Sequence, residues 1–221
     1  VERCDTTWVR TSIMTLDSTA MAAFSPAVAV NESGAATATW LQRSAGGTQL
    51  WGRRFVANAW LAPEMIAMGG IEDDPVIAIA PTGSSLCTWG QALPINLNAR
   101  ASRHPVGTSA TWEDAQDLET NNLTKPAVMF EYEYVGPTAR MDGDGNAIVV
   151  WRKKVDTGRV VPYTARLGAT ATAWLPAGGV PLHDDGTHTV EVLSLAVSRN
   201  GTAIAVWAYG PESDIWTSIY R

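Results

Sequence analysis

The sequence lacks several features that would point to common classes of protein. Only two cysteines occur in 221 residues, and their spacing fits no zinc or redox motif. There is no run of lysine and arginine and the net charge is −6, which argues against nucleic acid as a partner because phosphate binding needs clustered cations. No apolar run approaches the roughly eighteen residues of a membrane span. No segment has a capped 3.6-residue apolar period, so helices are not expected.

What the sequence does have is an internal repeat, marked by a glycine six residues before a tryptophan. The pairs are Gly34 and Trp40, Gly83 and Trp89, Gly145 and Trp151, and Gly201 and Trp207. Three copies carry a proline fourteen residues before that tryptophan, at Pro26, Pro75 and Pro137, and the fourth has Leu193 there. A second tryptophan follows 20 to 23 residues later in three copies, at Trp60, Trp112 and Trp174. A repeat of about fifty residues indicates an array or a propeller.

Each copy is typical of four antiparallel strands. A short aliphatic run such as Ala27–Val30 precedes the repeated glycine, which suits a turn needing positive φ. The run ending at the first tryptophan would pair back as a hairpin. A third strand, as in Gln49–Phe55 or Ile215–Tyr220, follows a polar turn, and a fourth starts near the second tryptophan. Four such strands form one propeller blade.

The two ends of the chain predict how the blades close. The last copy stops at Arg221 with no second tryptophan, whereas the first residues carry Trp8 in a segment like those around Trp60 and Trp174. The sequence therefore predicts an all-β protein, a four-bladed β-propeller closed by an N-terminal strand completing the last blade, so that no sheet edge is left open. Residues 1–221 form a single domain, with blades at about 25–74, 75–125, 126–189 and 190–221 plus 1–20.

The pattern of proline, aliphatic strand, glycine turn and paired tryptophans resembles the Trp-rich propeller-type repeats of secreted and lipoprotein-like bacterial proteins, which are mostly of unknown role. The resemblance covers nearly the whole chain and implies architecture rather than activity. Together with a first residue, Val1, that is not methionine, it favours a secreted or cell-envelope protein. Cys4 and Cys87 fall in blades that are not neighbours, so we expect them to be unpaired.

The repeated tryptophans have two interpretations. They could fill the contacts between blades, because each must remove a large aromatic surface from water, or they could be platforms on which sugars stack. Packing is favoured, since every blade needs it. Trp51 and Trp216 lie on third strands and do not recur in all copies, so they are freer to have a functional role.

The loops that connect the fourth strand of one blade to the first strand of the next carry the candidate ligand residues. In a propeller these loops gather at one face, where acidic side chains from several blades can converge on a polar ligand or a channel cation. The alternative is that they are solvated loops. The candidates are Glu72, Asp73 and Asp74 in one loop, His183, Asp184, Asp185 and His188 in another, and the segment from Glu119 to Asn122 in a third.

An insertion of about ten residues interrupts the repeat between Trp112 and Pro137. Strict alternation places Phe130, Tyr132 and Tyr134 on one face of a strand. This aromatic strip could bind a glycan, a peptide or a second subunit, or it could be a lengthened inner strand over the channel.

Catalytic and metal-binding motifs find little support. The segment from Asp142 to Asn146 begins like a calcium loop, but it coincides with the repeated hairpin turn and favours a plain turn. No nucleophile elbow, phosphate loop or Cys/His pairing occurs. Tyr132 with Glu131 or Glu133 imitates a sialidase pair, yet neighbours on a strand point to opposite faces.

The sequence therefore favours a non-catalytic module that binds a glycan or a protein through loops on one face, with no catalytic residue, resident metal or cofactor assigned. A glycoside-cleaving hydrolase using loop carboxylates and a purely structural repeat domain remain the alternatives.

Overall fold

The computed structural model describes residues 14–17, 21–71, 74–93, 96–107, 110–119, 136–155, 159–209 and 214–221. Within these ranges the protein is all-β, with sixteen strands in four antiparallel sheets and no helix. Nor do the described residues contain a helix that could cross a membrane. The four sheets correspond to the four sequence repeats.

The strands of each sheet follow one another along the chain. The first sheet contains β1 (Ala23–Val30), β2 (Ala36–Ser44), β3 (Gly47–Val56), β4 (Ala59–Trp60) and β5 (Glu64–Met68), of which β4 and β5 both pair with β3. The second contains β6 (Val76–Ile79), β7 (Ser85–Leu93), β8 (Asn96–His104) and β9 (Gln116–Asp117). The third contains β10 (Thr138–Met141), β11 (Ala147–Val155), β12 (Arg159–Leu167) and β13 (Leu175–Pro181). The fourth contains β14 (Val190–Val197), β15 (Ala203–Tyr209) and β16 (Asp214–Tyr220).

The sheets stand side by side like the blades of a propeller. Their first strands are neighbours, with β1 beside β6, β6 beside β10 and β10 beside β14. The predicted all-β, propeller-type arrangement is thus present. The predicted pairing of the segment around Trp8 with β16 lies outside the described residues and stays a prediction.

The repeated glycines make the same turn in every sheet, as the sequence predicts. Gly34, Gly83, Gly145 and Gly201 all have φ between 81° and 94°, a conformation that other residues adopt only at a cost. In each turn the glycine N–H donates to the carbonyl three residues earlier, at 2.9 to 3.3 Å. These turns connect the first and second strands, and they define what we call the turn face.

The core lies between sheets, and a second-strand tryptophan stands in each contact. Trp89 packs between the first and second sheets, Trp151 between the second and third, and Trp207 between the third and fourth. All three are buried, as is Trp40. The packing interpretation of the tryptophans is confirmed for these contacts. Cys87 lies in the same layer as a free, fully buried thiol, and burial raises its pKa.

The fourth strands start near the second tryptophan, as predicted, but they differ in extent and regularity. β9 has only two residues and begins four positions after Trp112, and β4 is a two-residue strand that β5 continues in a different register. The fourth strand is the edge of its sheet, so it has one pairing partner instead of two and its extent depends on local turns. The spacing of the second tryptophan therefore predicts where the fourth strand starts but not how far it extends.

The fourth strand of the third sheet illustrates how tightly the tryptophans are packed. Gly179 has φ +69°, and a Cβ at this position would lie 2.4 Å from the Trp151 ring. Gly34 has a similar φ of +81° but open space around the same point.

We expect Gly34→Ala to reduce the free energy of unfolding by about 1–2 kcal/mol, because alanine is strained at positive φ. Gly179→Ala should cost about 1–3 kcal/mol more, because it also overpacks the tryptophan layer. Urea unfolding of both variants measures the difference. Equal losses for the two variants would contradict the packing argument.

Candidate functional site

The loop between β13 and β14 lies at the end of the sheets opposite the turn face. Asp184 in this loop forms an ion pair with Arg159, the first residue of β12. His183 stacks on Trp216 near the start of β16, with ring centroids 5.0 Å apart and planes 20° apart. The loop after a fourth strand therefore meets the starts of two third strands. We call this end the loop face.

Trp216 is an exposed aromatic group of this face. It pairs with Trp207 on the neighbouring strand. Trp207 is buried, whereas Trp216 is 43% exposed. The His183 ring supports the indole from the preceding loop. An indole held by a neighbouring ring presents a flat apolar surface with little conformational entropy left to lose on binding.

The two residues that follow His183 in the loop, Asp184 and Asp185, carry carboxylates with lowered pKa values, so both are ionised at neutral pH. Asp184 accepts hydrogen bonds from Arg159 and from the Gly186 N–H, and the Arg159 bond is the main reason why its pKa is lowered. Asp185 accepts the backbone N–H groups of Thr187 and His188 at 2.9 and 3.0 Å. Those bonds, that of His188 first, lower the pKa of Asp185.

His188 makes no catalytic relay with its neighbours. The Asp185 carboxylate lies 2.5 Å from His188 Nδ1, and the Thr187 hydroxyl lies 2.9 Å from the same nitrogen. A triad needs the acid and the hydroxyl on opposite nitrogens of the imidazole ring. The arrangement orders the loop instead. We call Arg159, His183, Asp184, Asp185, His188 and Trp216 together the aromatic–acidic patch.

The structure brings together one of the predicted groups of site residues. His183, Asp184, Asp185 and His188 lie in the patch, joined by Arg159 and Trp216 from other elements. Asp74 is exposed, and among the described residues no hydrogen bond or ion pair joins it to the patch. The other predicted residues, Glu72, Asp73, Phe130, Tyr132 and Tyr134, lie outside the described residues, so the convergence of acidic loops stays a prediction.

Metal-ligand geometry is absent from the part of the chain that the structure describes, where no group of three His, Cys, Asp or Glu side chains could hold an ion. The calcium-like segment is a turn. Asp142 accepts the N–H groups of Asp144 and Asn146 at 3.0 and 2.9 Å and the Asn146 side chain at 2.8 Å. Its carboxylate is thus occupied by its own loop.

The sequence did not reveal two buried ionisable residues, Glu119 and Lys153, between the second and third sheets. Glu119, just after β9, is buried and accepts the Ala99 N–H at 3.1 Å. Burial raises its pKa to about 7, and the charge of Lys153 on β11 partly opposes this rise. Lys153 is itself buried, with its ammonium group 4.7 Å from the centre of the Tyr163 ring. The sequence around both residues is polar and is typical of exposed segments. Their burial is therefore seen only in the structure, where the two sheets meet.

Comparisons with known proteins give a fold and no family. No family matches the sequence, and no curated protein does. Three solved structures are similar: a protein of unknown function from Dyadobacter fermentans (14% identity, TM-score 0.55), the Hadza microbial sialidase Hz136 (9%, 0.57) and the GH93 α-L-arabinofuranosidase of Fusarium graminearum (12%, 0.53). They match 90%, 89% and 89% of this chain.

The chain spans only part of those proteins. It covers 66%, 44% and 61% of their respective lengths. At such low identity the likeness shows the propeller-type fold alone, and the residues of the site have to be judged on their own geometry.

The raised pKa of Glu119 gives the stability of the protein a distinctive dependence on pH. The folded state keeps the Glu119 proton up to about pH 7, whereas the unfolded chain releases it near pH 4.5. Between these values the folded state binds more protons, so its stability falls as pH rises. Glu119→Gln should remove this fall and become about 3 kcal/mol more stable than the native chain above pH 7.

The effect of Glu119 has to be measured as the difference in unfolding free energy between variants, because buried His104 changes the stability with pH in the opposite direction. Burial lowers the pKa of His104, so the unfolded chain binds more protons than the folded state as pH falls below 6.5. Urea unfolding from pH 4 to 8 of the native chain, Glu119→Gln and the exposed control Glu32→Gln measures the effect. If the unfolding free energies of the native chain and of Glu119→Gln change in parallel with pH, Glu119 does not cause the pH dependence.

Proposed function

We propose that this chain is a non-catalytic, glycan-binding β-propeller module whose binding site is the aromatic–acidic patch on the loop face. The observation that carries the proposal is the exposed indole of Trp216, stacked on His183, which is followed in the same loop by the ionised carboxylates of Asp184 and Asp185. A sugar ring has an apolar C–H face and hydroxyl groups at its edge. The C–H face can stack on the indole, and the hydroxyl groups can donate hydrogen bonds to the carboxylates.

The charges of the patch also suit a neutral or amino-bearing glycan better than an acidic one. Asp184 is paired with Arg159, whereas Asp185 accepts hydrogen bonds from two backbone N–H groups and contacts the ring of His188. The patch therefore has two carboxylates and one guanidinium group. Two of the three similar structures are named for enzymes that act on glycans, which fits this ligand class. The proposal places the module in the cell envelope or outside the cell, where polymeric glycans are exposed.

The hydrolase alternative is weaker at this patch. Glycoside hydrolysis needs one carboxyl group that still holds a proton near neutral pH and a second that is ionised. The pKa values of Asp184 and Asp185 are both lowered, so neither suits the role of the acid. Glu119 has the required pKa, but it is buried and bound to the Ala99 backbone.

The experiment is an oligosaccharide array probed with the purified chain, followed by calorimetry on the best ligand. We expect Trp216→Ala to weaken binding by about 2 kcal/mol, or roughly thirtyfold in Kd, because the stacking surface is lost. Asp185→Asn should weaken binding less, because the amide still accepts one hydrogen bond but the charge is gone.

Trp51→Ala is the matched control. Trp51 occupies the same place on its third strand, opposite Trp40, as Trp216 does opposite Trp207, but it bonds to Gln49 instead of stacking on a histidine. The Trp51→Ala variant should bind the oligosaccharide with native affinity. Unchanged binding by Trp216→Ala would refute the site, and turnover of any bound glycan would refute the non-catalytic assignment.

A further inference from the structure

A cavity of about 260 Å³ lies between the third and fourth sheets, where their repeated turns meet. The two turns are joined beside it, because the Gly143 N–H donates to the Arg199 carbonyl at 2.8 Å. Two oppositely charged side chains, Asp142 and Arg166, line the cavity. Part of the wall is apolar, and the side chains of this part are those of Ile148, Leu167, Val197 and Ala203. The cavity therefore suits a small molecule that has both apolar and charged groups.

A repeated arginine fills the equivalent place in the first two contacts between sheets. The third-strand residue that pairs with the third position after the repeated glycine is Arg54, Arg103 or Arg166. Arg54 is 5% exposed and Arg103 is 8% exposed. Both donate to backbone carbonyls of the following sheet at 2.9 to 3.3 Å, and the acceptors are Gly83 and Gly107 for Arg54, and Gly168 and Ala169 for Arg103.

Arg166 is placed differently from these two arginines. It is exposed, and its guanidinium group lies over the Tyr220 ring of the fourth sheet, 4.4 Å from the ring centre. Among the described residues, no carbonyl or carboxylate of the fourth sheet accepts a hydrogen bond from it. A guanidinium group that stacks on a ring keeps its N–H groups in its own plane, where two of them can bind one carboxylate. Arg166 is therefore suited to bind an anion at the cavity.

Asp142 supplies a negative group to the same cavity. It is 8% exposed, and no ion pair joins it to a cationic side chain in the described part of the chain. Its carboxylate accepts three hydrogen bonds within its turn, out of about four that a carboxylate can accept. Its Oδ2 atom points toward the fourth turn, because a Cβ on Gly201 would lie 3.3 Å from it. A buried carboxylate of this kind is stabilised by a cation that reaches its remaining acceptor position.

We propose that this cavity binds a free amino acid with an apolar side chain of about the size of leucine. The ammonium group donates to Asp142, the carboxylate accepts hydrogen bonds from Arg166, and the side chain packs on Ile148 and Val197. At roughly 30 Å³ for each water-sized group, the cavity has room for about nine of them, which is close to the number of non-hydrogen atoms in leucine.

The two opposite charges distinguish a free amino acid from other small ligands. A residue inside a peptide has neither charge on its backbone, and a terminal residue has only one. A simple carboxylic acid would bring a second negative charge close to Asp142 and no cation. The site is independent of the aromatic–acidic patch, which lies at the opposite end of the sheets.

The first test compares three ligands by calorimetry on the purified 221-residue chain. Leucine should bind at one site per chain. Leucinamide lacks the carboxylate and N-acetylleucine lacks the ammonium group, so each should bind at least about tenfold more weakly because one charge-assisted hydrogen bond is lost. Binding of either derivative as tightly as leucine overturns the proposal, and so does the absence of leucine binding at about 10 mM ligand.

The second test assigns the two charges to their residues. Arg166→Gln and Asp142→Asn should each weaken leucine binding at least about tenfold. Arg166→Gln should leave the affinity for leucinamide unchanged, and Asp142→Asn should leave that for N-acetylleucine unchanged. Asparagine is compatible with this turn, because Asn31 accepts the N–H groups of Ser33 and Ala35 at 3.1 and 3.0 Å in the first turn. A variant that weakens all three ligands equally contradicts the assigned contacts.

The matched controls are Asp144→Asn and Arg199→Gln. Asp144 is an exposed carboxylate of the same turn, and the Arg199 side chain is exposed and pairs with Glu32. Both variants should bind leucine with native affinity, as should Trp216→Ala, which tests the glycan site separately. If Asp144→Asn weakens leucine binding as much as Asp142→Asn does, the effect comes from the net charge and the site is refuted.

Discussion

The fold depends on one constraint, which is that the second and third sheets each have two apolar faces and both faces are buried against neighbouring sheets. A helix or a sandwich sheet can turn a polar side to solvent, but β7 and β11 are buried on both sides, with Leu86 facing one neighbour and Trp89 the other. Such strands are stable only between two other sheets. The side-by-side arrangement of the sheets follows from this. So does the need for a small residue where a tryptophan ring lies over the edge strand of its own sheet, as Trp151 does at Gly179. Among the described residues, Trp151 and Trp207 even leave their indole N–H groups without a hydrogen-bond partner, a cost that burying so much aromatic surface offsets.

The same constraint divides the two ends of the molecule between structure and binding. At the turn face the loops hold each other. The Asn31 side chain donates to the carbonyls of Ala80 and Pro81, and Arg54 donates to those of Gly83 and Gly107. At the loop face the first and second sheets are joined as well, because the Ala92 N–H donates to the Gly70 carbonyl at 2.6 Å and the Gln91 side chain donates to the Gly69 carbonyl at 2.8 Å. Between the third and fourth sheets, by contrast, this face presents the side chains of the aromatic–acidic patch, and changes to them leave those backbone contacts in place.

Sequence reasoning reached the parts of the structure that are local or repeated. The positive φ of Gly34 and Gly201 and the burial of Trp89 could be predicted, because each follows from a short pattern that recurs in every copy. The length and register of the fourth strands could not be predicted, because they depend on single turns. After β3 the chain reverses at Ala57 and Asn58, both with positive φ, and alanine gives no sign of such a turn. The candidate site was half predicted. The polar loop from His183 to His188 was recognisable, but Arg159 and Trp216 join it from 24 residues before and 28 residues after, and no spacing in the sequence encodes that contact.

Glu119 shows why burial is harder to predict than pairing. A glutamate followed by polar residues is typical of a solvated loop, and Lys153 lies in a basic triplet that looks exposed. Both are buried because the second and third sheets meet there, and burial raises the pKa of Glu119 even though the Ala99 N–H and the charge of Lys153 favour its ionised form. A buried acid that retains its proton to about pH 7 makes the contact between these two sheets sensitive to pH in the physiological range. This contact lies toward the loop face, since Lys153 is near the end of β11 and Ala99 near the start of β8. The stability of the contact between the second and third sheets therefore depends on pH near 7, whereas the lowered pKa values of Asp184 and Asp185 keep the carboxylates of the aromatic–acidic patch ionised there.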